Sequence, residues 1–263
     1  MLVHAEQGLG DTLQFARYVP MLAARGGRVV LEVPPELCRL LAGLAGVAEL
    51  VPHGAPLPRV AVQVPLLSLP GRFGTGPDTI PAATPYLRAE PGAVAAWRAR
   101  LGAASGLNVG IAWAGSRLHR NDRHRSVALD RLAPLARIPG ARLFALQVGA
   151  AAAELGPAGL PIHDLAPDIA DFADSAAIVT ALDLVVTIDS ALAHLAGALA
   201  RPVWVLVPFA PDWRWGMTGE STPWYPTMRL FRQRRPGDWD EPVGRVAAAL
   251  AALADARASP PGR

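Results

Sequence analysis

Residues 182–206 read LDLVVTIDSALAHLAGALARPVWVL. An apolar run, Leu184 to Ile188, stops abruptly at Asp189-Ser190. A helix-like run, Ala191 to Leu199, follows at once, and a second apolar run, Val203 to Val207, comes next. Strand, turn, helix and strand in this order form the building block of a parallel sheet. The turn gathers a carboxylate, a hydroxyl and His194 around a helix N-terminus, where free N–H groups and the helix dipole make a seat for phosphate. The functional site is therefore expected around a phosphorylated ligand at the carboxyl edge of this strand. Capping by Asp189 or Ser190, and a satisfied buried histidine at 194, are the plainer alternatives.

The same alternation extends outward in two series. Leu2 to His4 reads as a strand, followed by a turn at Gly8-Leu9-Gly10 and a helix from about Asp11 to Ala24. Strands are expected at Arg28 to Val33, Val47 to Val51 and Val60 to Val64, with a helix from Pro34-Pro35 through Leu44. Residues 65–86 are rich in Pro, Gly and Thr and read as loop, and Val94 to Leu101 reads as helix. The small residues from Gly102 to Gly106 mark a domain junction near 102–108. The second series has strands at Val109 to Trp113 and Ala141 to Leu146 and helices at Leu129 to Arg137 and Asp171 to Leu182. The 182–206 unit follows, then a long aromatic loop at 208–240 containing a strand at Met228 to Phe231. A terminal helix, Pro242 to Ala256, is expected to pack back across the junction. Two such series imply two Rossmann-like domains facing a cleft, residues 1–105 and 106–256, with a flexible tail at 257–263. The chain starts almost inside its first strand, as a piece of a longer protein would.

Composition limits the function. Of 263 residues, 51% are hydrophobic and 18% charged, enough to bury a full core. The 25 basic residues are all Arg and are scattered except in one loop, which argues against nucleic acid as a partner. The single Cys38 excludes an internal disulfide and any cysteine-rich metal site. No N-terminal targeting signal and no uncharged apolar run of membrane-spanning length is present. The sequence thus reads as cytoplasmic, compatible with work at a membrane surface.

Several clusters carry possible chemistry. The turn Gly8-Leu9-Gly10-Asp11 resembles a dinucleotide fingerprint, but the third glycine would fall at Leu13, so hydride chemistry and a dinucleotide cofactor are not expected. Asp11 at the mouth of a cleft suits a general base, while Asp11 with Gln14 also reads as a helix capping box. The loop SRLHRNDRHRS, 116–126, holds four Arg, suited to bidentate phosphate contacts, or else is a solvated loop. In DWRWGMTGESTPWYP, 212–226, Trp213, Trp215, Trp224 and Tyr225 are crowded enough to suggest a sugar-stacking site or a loop pinned to the core by its own rings. Asp238-Trp239-Asp240 has a metal-binding D-x-D form, but it precedes the terminal helix and reads as a cap, so no metal is assigned.

Taken together, EQGLGDTLQFARYVP (6–20), VPLLSLP (64–70), GIAWAGS (110–116) with NDRHRS (121–126), DFADSAAIV (171–179), the 182–199 run, DWRW (212–215) and TPWYPTMRLFRQ (222–233) resemble glycosyltransferase family 9. The likeness is to heptosyltransferase-like domains found downstream of tetratricopeptide repeats in bacteria. This resemblance implies a GT-B-like fold and a nucleotide-sugar donor held mainly by the C-terminal domain. It also implies inverting transfer without metal or cofactor. It makes Asp11 the base and assigns Asp189, Ser190, Ala191 and His194 to the donor. Relatives often place a Lys near the donor phosphates; this chain has none, so Arg123 or Arg125 would serve. Gly10, Gln14, Trp213 and Trp215 would border the sugar or acceptor. The acceptor would be a glycan, a lipid-linked glycan or a protein, and a tetratricopeptide-repeat domain could precede the chain in a longer form. The rival reading is a catalytically silent sugar-nucleotide or glycan-binding module acting as an interaction partner.

Overall fold

The computed structural model describes residues 1–102, 106–117 and 119–258. The expected junction at 102–108 falls partly on 103–105, and most of the expected tail falls on 259–263; both lie outside the described residues, as does Leu118 of the Arg-rich loop.

The first series contains β1 (Leu2–His4), α1 (Leu9–Phe15), α2 (Tyr18–Ala24), β2 (Val29–Val33) and α3 (Pro35–Leu41). It continues with β3 (Val47–Pro52), β4 (Gln63–Pro65), α4 (Leu69–Arg72) and α5 (Pro91–Leu101). Its strands pair in parallel in the order β3-β2-β1-β4. The second series runs β5 (Leu107–Ile111), α6 (Asp122–Arg125), β6 (Ala141–Ala145), α7 (Leu155–Ala158), β7 (Ile162–Asp164) and α8 (Phe172–Ala181). After these come β8 (Leu184–Ile188), α9 (Ala191–Ala198), β9 (Val203–Val207), β10 (Met228–Arg232) and α10 (Asp240–Ala258). Its strands, also parallel, order as β10-β9-β8-β5-β6-β7. The strand order reverses between β5 and β8, which makes their carboxyl ends the switch point where ligands bind in such sheets.

Two expected helices are cut by proline. Pro20 cannot donate to the carbonyl of Ala16, so the helix divides at Ala16-Arg17 and Val19 N–H bonds Ala16 instead, 3.0 Å away. Pro134 divides the expected 129–137 helix into two 3₁₀ turns, Leu129–Leu132 and Leu135–Arg137. Strand β7, a three-residue edge strand, is too short to leave a sequence pattern.

The six-stranded sheet is buried on both faces. Along β8 and β9, Val185, Val203, Val205 and Val207 join one apolar cluster, while Leu184, Val186, Ile188 and Leu206 join another. Helix α10 covers the second cluster with Val243, Val246, Leu250 and Ala254, packing on β6, β9 and β10. This corrects the expectation that it crosses the junction: its apolar stripe matches an outer sheet face that would otherwise lie bare. Other elements join the two sheets. Helix α5 packs on α8, α1 on α9, and α3 on α8. Arg39 pairs with Asp171 at 2.9 Å, and Arg100 with Asp168 at 2.7 Å. One apolar cluster therefore runs continuously from β1 and β2 to β8 and β9.

Candidate functional site

The N-terminal turns of α1 and α9 meet between the two sheets. A Cβ placed on Gly10 would lie 2.9 Å from His194 Cδ2 and 3.4 Å from Ala191 Cα, so glycine is what permits this approach. Gly8 is the N-cap of α1, which puts Asp11 at its third helical position. Asp11 Oδ2 accepts from Gly8 N–H at 3.0 Å. The capping expectation is thus corrected by register: Asp11 is the back-reaching member, and Gln14 takes no part in the cap. Leu9, an apolar residue inside the first turn, carries the helix start upstream of the acidic residue.

Asp11 Oδ1 is held in an ion pair by Arg214, which belongs to the loop after β9. Arg214 Nε also donates to Gln14 Oε1 at 2.5 Å, and its Nη1 donates to Asp212 at 2.8 Å. The side chains of Asp11 and Arg214 are 23% and 11% exposed. Gln14 is fully buried, with its Nε2 unpartnered. Its expected contact with sugar or acceptor is therefore corrected: its side-chain oxygen is taken by Arg214 across the sheets, while its backbone carbonyl accepts from Arg17 and Tyr86.

At the switch point, Arg125 Nη1 donates to the Asp189 carbonyl at 2.9 Å, and its Nε pairs with Asp122 at 3.3 Å. A Cβ on Gly115 would collide with that guanidinium at 2.5 Å, so the glycine clears its path. Arg123 instead lies exposed, donating to the neighbouring His124 at 2.9 Å. Ser190 caps α9 with its backbone in the extended region, its hydroxyl 3.3 Å from Thr187 Oγ1. The N–H groups of Ala191 and Leu192, ahead of the Ala193 N–H that bonds the Ser190 carbonyl at 3.1 Å, have no intrahelical acceptor. Burial raises the Asp189 carboxyl above its ordinary value; the Trp215 indole and the Arg125 and Arg214 charges oppose that rise, and Asp212 adds to it.

His194 does not line an open cleft, contrary to expectation. It is 4% exposed, stacks on Trp215 with ring centroids 5.3 Å apart, and meets the Tyr225 hydroxyl at 3.0 Å. Helix α9 is buried on every side from Ala193 to Ala198, so His194 has no solvent-facing direction to take. Burial, then the Arg214 and Arg17 charges, push its pKa well below the ordinary 6.5. It is therefore a neutral packing group beneath the turn rather than a side chain presented to a ligand. Trp215 is corrected in the same way, being 2% exposed, whereas Trp213 is 63% exposed and packs edge-on to Trp224 at 5.9 Å.

Arg17 and Arg214 were not singled out by the sequence reading. Arg17 is buried with no carboxylate partner among the described residues. It donates to the carbonyls of Gln14, Pro81 and Trp224 at 2.9 Å and is ringed by Tyr86, Trp224 and Tyr225. The one available signal was an arginine inside an otherwise apolar helical run. Asp238, as expected of a cap, accepts from Glu241 N–H at 3.3 Å before α10.

The neutrality of His194 has a pH consequence. Its folded pKa lies below the unfolded value, so acid favours the unfolded chain; stability is full above about pH 6.5 and falls as the pH drops. The group contributes up to about 1.4 kcal/mol per pH unit. Asp189, raised above 3.8, opposes this toward lower pH. Denaturant unfolding from pH 7 to 5 should show a steeper loss for the wild type than for His194→Phe. Parallel curves would mean that His194 takes up its proton alike in the folded and unfolded chain, and its enclosure would then carry no pH dependence.

Residues 146–220, which span β8, α9 and the Trp213–Trp215 turn, match the family model of glycosyltransferase family 9 (heptosyltransferase). Protein FlbA of Caulobacter vibrioides is 30% identical over 95% of this chain, which spans about half, 46%, of that relative. Among solved structures, E. coli ADP-heptose lps heptosyltransferase II superposes with a TM-score of 0.66 at 16% identity, covering 98% of this chain and 99% of its own. A glycosyl transferase family 9 protein from Veillonella parvula gives 0.66 at 10% identity, covering 96% and 97%. E. coli heptosyltransferase WaaC with ADP gives 0.57 at 13% identity, covering 98% and 100%. The chain thus carries a glycosyltransferase family 9-like region on a GT-B-like fold. Among the described residues, no helix is long and apolar enough to cross a membrane.

Proposed function

We propose that this family 9-like chain is an inverting, metal-independent glycosyltransferase that moves a sugar from a nucleotide-sugar donor to an acceptor hydroxyl. The observation that carries the reading is the close approach of Gly10, the residue before Asp11, to Ala191 in the first turn of α9 at the switch point of the other sheet. A carboxylate on one side and a phosphate-binding helix end on the other are the two parts that inverting transfer needs. Asp11 takes the acceptor proton as the hydroxyl oxygen attacks the anomeric carbon. The nucleoside diphosphate leaves from the opposite face. Arg125 and the N–H groups of Ser190 and Ala191 meet its growing charge. Asp189 positions ribose or phosphate, Trp213 borders the sugar or acceptor, and His194 acts only by supporting the turn. Residues 1–105 form the acceptor side and residues 106–256 the donor side. The acceptor is a glycan, a lipid-linked glycan or a protein.

The engagement of both Asp11 oxygens favours one rival, a sugar-nucleotide-binding module without catalysis. A thermal-shift screen separates them in its first step, beginning with ADP-sugars because a fold neighbour is named with ADP. Ligand at a hundredfold excess over its dissociation constant raises stability by about 2.7 kcal/mol. Transfer or donor hydrolysis by the wild type, unchanged by a chelator, supports the enzyme. Tight binding with neither reaction supports the module, and loss of turnover with the chelator would overturn metal independence.

A further inference from the structure

Arg214 bridges the two halves of the site, and this inference rests on the transferase reading above. Its three acceptors are Asp11 Oδ1, Gln14 Oε1 and Asp212 Oδ1. Two belong to α1, on the opposite sheet; the third belongs to its own loop. Asp11 and Gly10 are adjacent, and the built Cβ of Gly10 stands 3.6 Å from Ala191 N. One close contact therefore does two things. It covers the helix end where a diphosphate would sit, and it holds the carboxylate that would take the acceptor proton. Gln14 Nε2, fully buried and unpartnered in the same contact, leaves a donor without an acceptor, a cost that opening the contact relieves.

The supply of cations at this point is narrow. The chain has no lysine. Arg125, which meets the leaving group, is also tied to Asp122 and to the Asp189 carbonyl, and Arg123 is exposed and bonded to His124. Asp11, Asp189 and Asp212 all lie within reach of Arg214. An incoming diphosphate adds further negative charge to three carboxylates, and Arg214 is the cation whose partners can be exchanged. Asp212, on the same loop, can keep hold of one guanidinium nitrogen while the others change partner.

We propose that Arg214 exchanges Asp11 for the diphosphate of the bound donor, so that the donor's arrival itself frees the base. In the empty site the guanidinium masks the carboxylate and closes α1 on α9. With donor bound, the guanidinium neutralises the leaving group and Asp11 opens to the acceptor.

The test measures nucleoside diphosphate affinity by calorimetry on the whole chain, with ADP first and UDP and GDP beside it. Asp11→Asn removes the competing carboxylate, so it should bind the diphosphate about five- to tenfold more tightly than the wild type. Arg214→Gln should bind about ten- to a hundredfold more weakly, the loss of a charge-assisted contact, and Arg214→Lys should recover part of it. The double variant Asp11→Asn/Arg214→Gln should lose the tightening. If the double variant keeps it, Arg214 only holds the cleft shut and the exchange is overturned. If Asp11→Asn and Arg214→Gln both lower melting temperature while affinity stays at the wild-type value, the pair is a strap and the exchange is again overturned, with the transferase reading intact. If no nucleoside diphosphate binds any variant, the transferase reading fails and the exchange falls with it.

Discussion

Asp11→Asn gives a folded protein that still binds the donor and transfers sugar at least a hundredfold more slowly. The two effects separate because they depend on different atoms. Asparagine keeps an oxygen that can accept from Gly8 N–H, the bond that Asp11 Oδ2 makes at 3.0 Å, so the first turn of α1 retains its back-reaching cap. What the fold loses is the charge near a helix N-terminus and the pairing with Arg214, which keeps Gln14 and Asp212 as partners. A destabilisation of about 1–2 kcal/mol follows. The chemistry loses its base. A positioned base is worth about 10²–10⁴ in rate, or roughly 2.7–5.5 kcal/mol of barrier.

Steady-state transfer and denaturant unfolding measured on one preparation decide the matter. Ordinary turnover in a well-folded Asp11→Asn protein would remove Asp11 from the mechanism. Loss of turnover in step with loss of folding would assign it to structure alone. A pairing of diphosphate affinity that rises with turnover that collapses is the signature that only the combination of base and masked carboxylate produces.

Much of the scaffold was legible because parallel strands buried on both faces read as unbroken apolar runs. Leu184–Ile188 and Val203–Val207 have the limits expected of them, and the polar interruption at Asp189-Ser190 fixed where the helix begins. Helix breaks were legible in principle: Pro20 and Pro134 stand in the sequence, but apolar periodicity continues through both and masks them. The position of Asp11 within its turn was not legible, since a glycine N-cap offers no side chain to recognise. The ion pair between Asp11 and Arg214 spans 203 residues of sequence, and no local pattern encodes it. Nor does composition separate Trp213 from Trp215. Residues two apart in a 3₁₀ turn project in different directions, so one ring meets solvent and the other meets His194.

Those two tryptophans give the second large effect. Trp215→Ala should cost about 3–5 kcal/mol, because the side chain is fully enclosed and its removal leaves a cavity beside His194 and beneath the α9 turn. For a chain of this size that lowers the melting temperature by roughly 10 °C. The backbone cannot easily collapse into the space, since Asp212 caps the turn through Arg214 N–H at 3.1 Å and Gly216 leaves it with a φ of 63°. Trp213→Ala removes a ring that is mostly in water and should change stability by no more than about 0.5 kcal/mol. If Trp213 borders the sugar or acceptor, its loss should instead raise the KM for the acceptor with the fold intact. Thermal unfolding of both variants, followed by acceptor titration of the Trp213 variant, reads the two roles separately. Equal destabilisation would mean that the exposed ring is a second anchor of the loop, and a mild Trp215→Ala would mean that the turn can repack without the stack on which His194 depends.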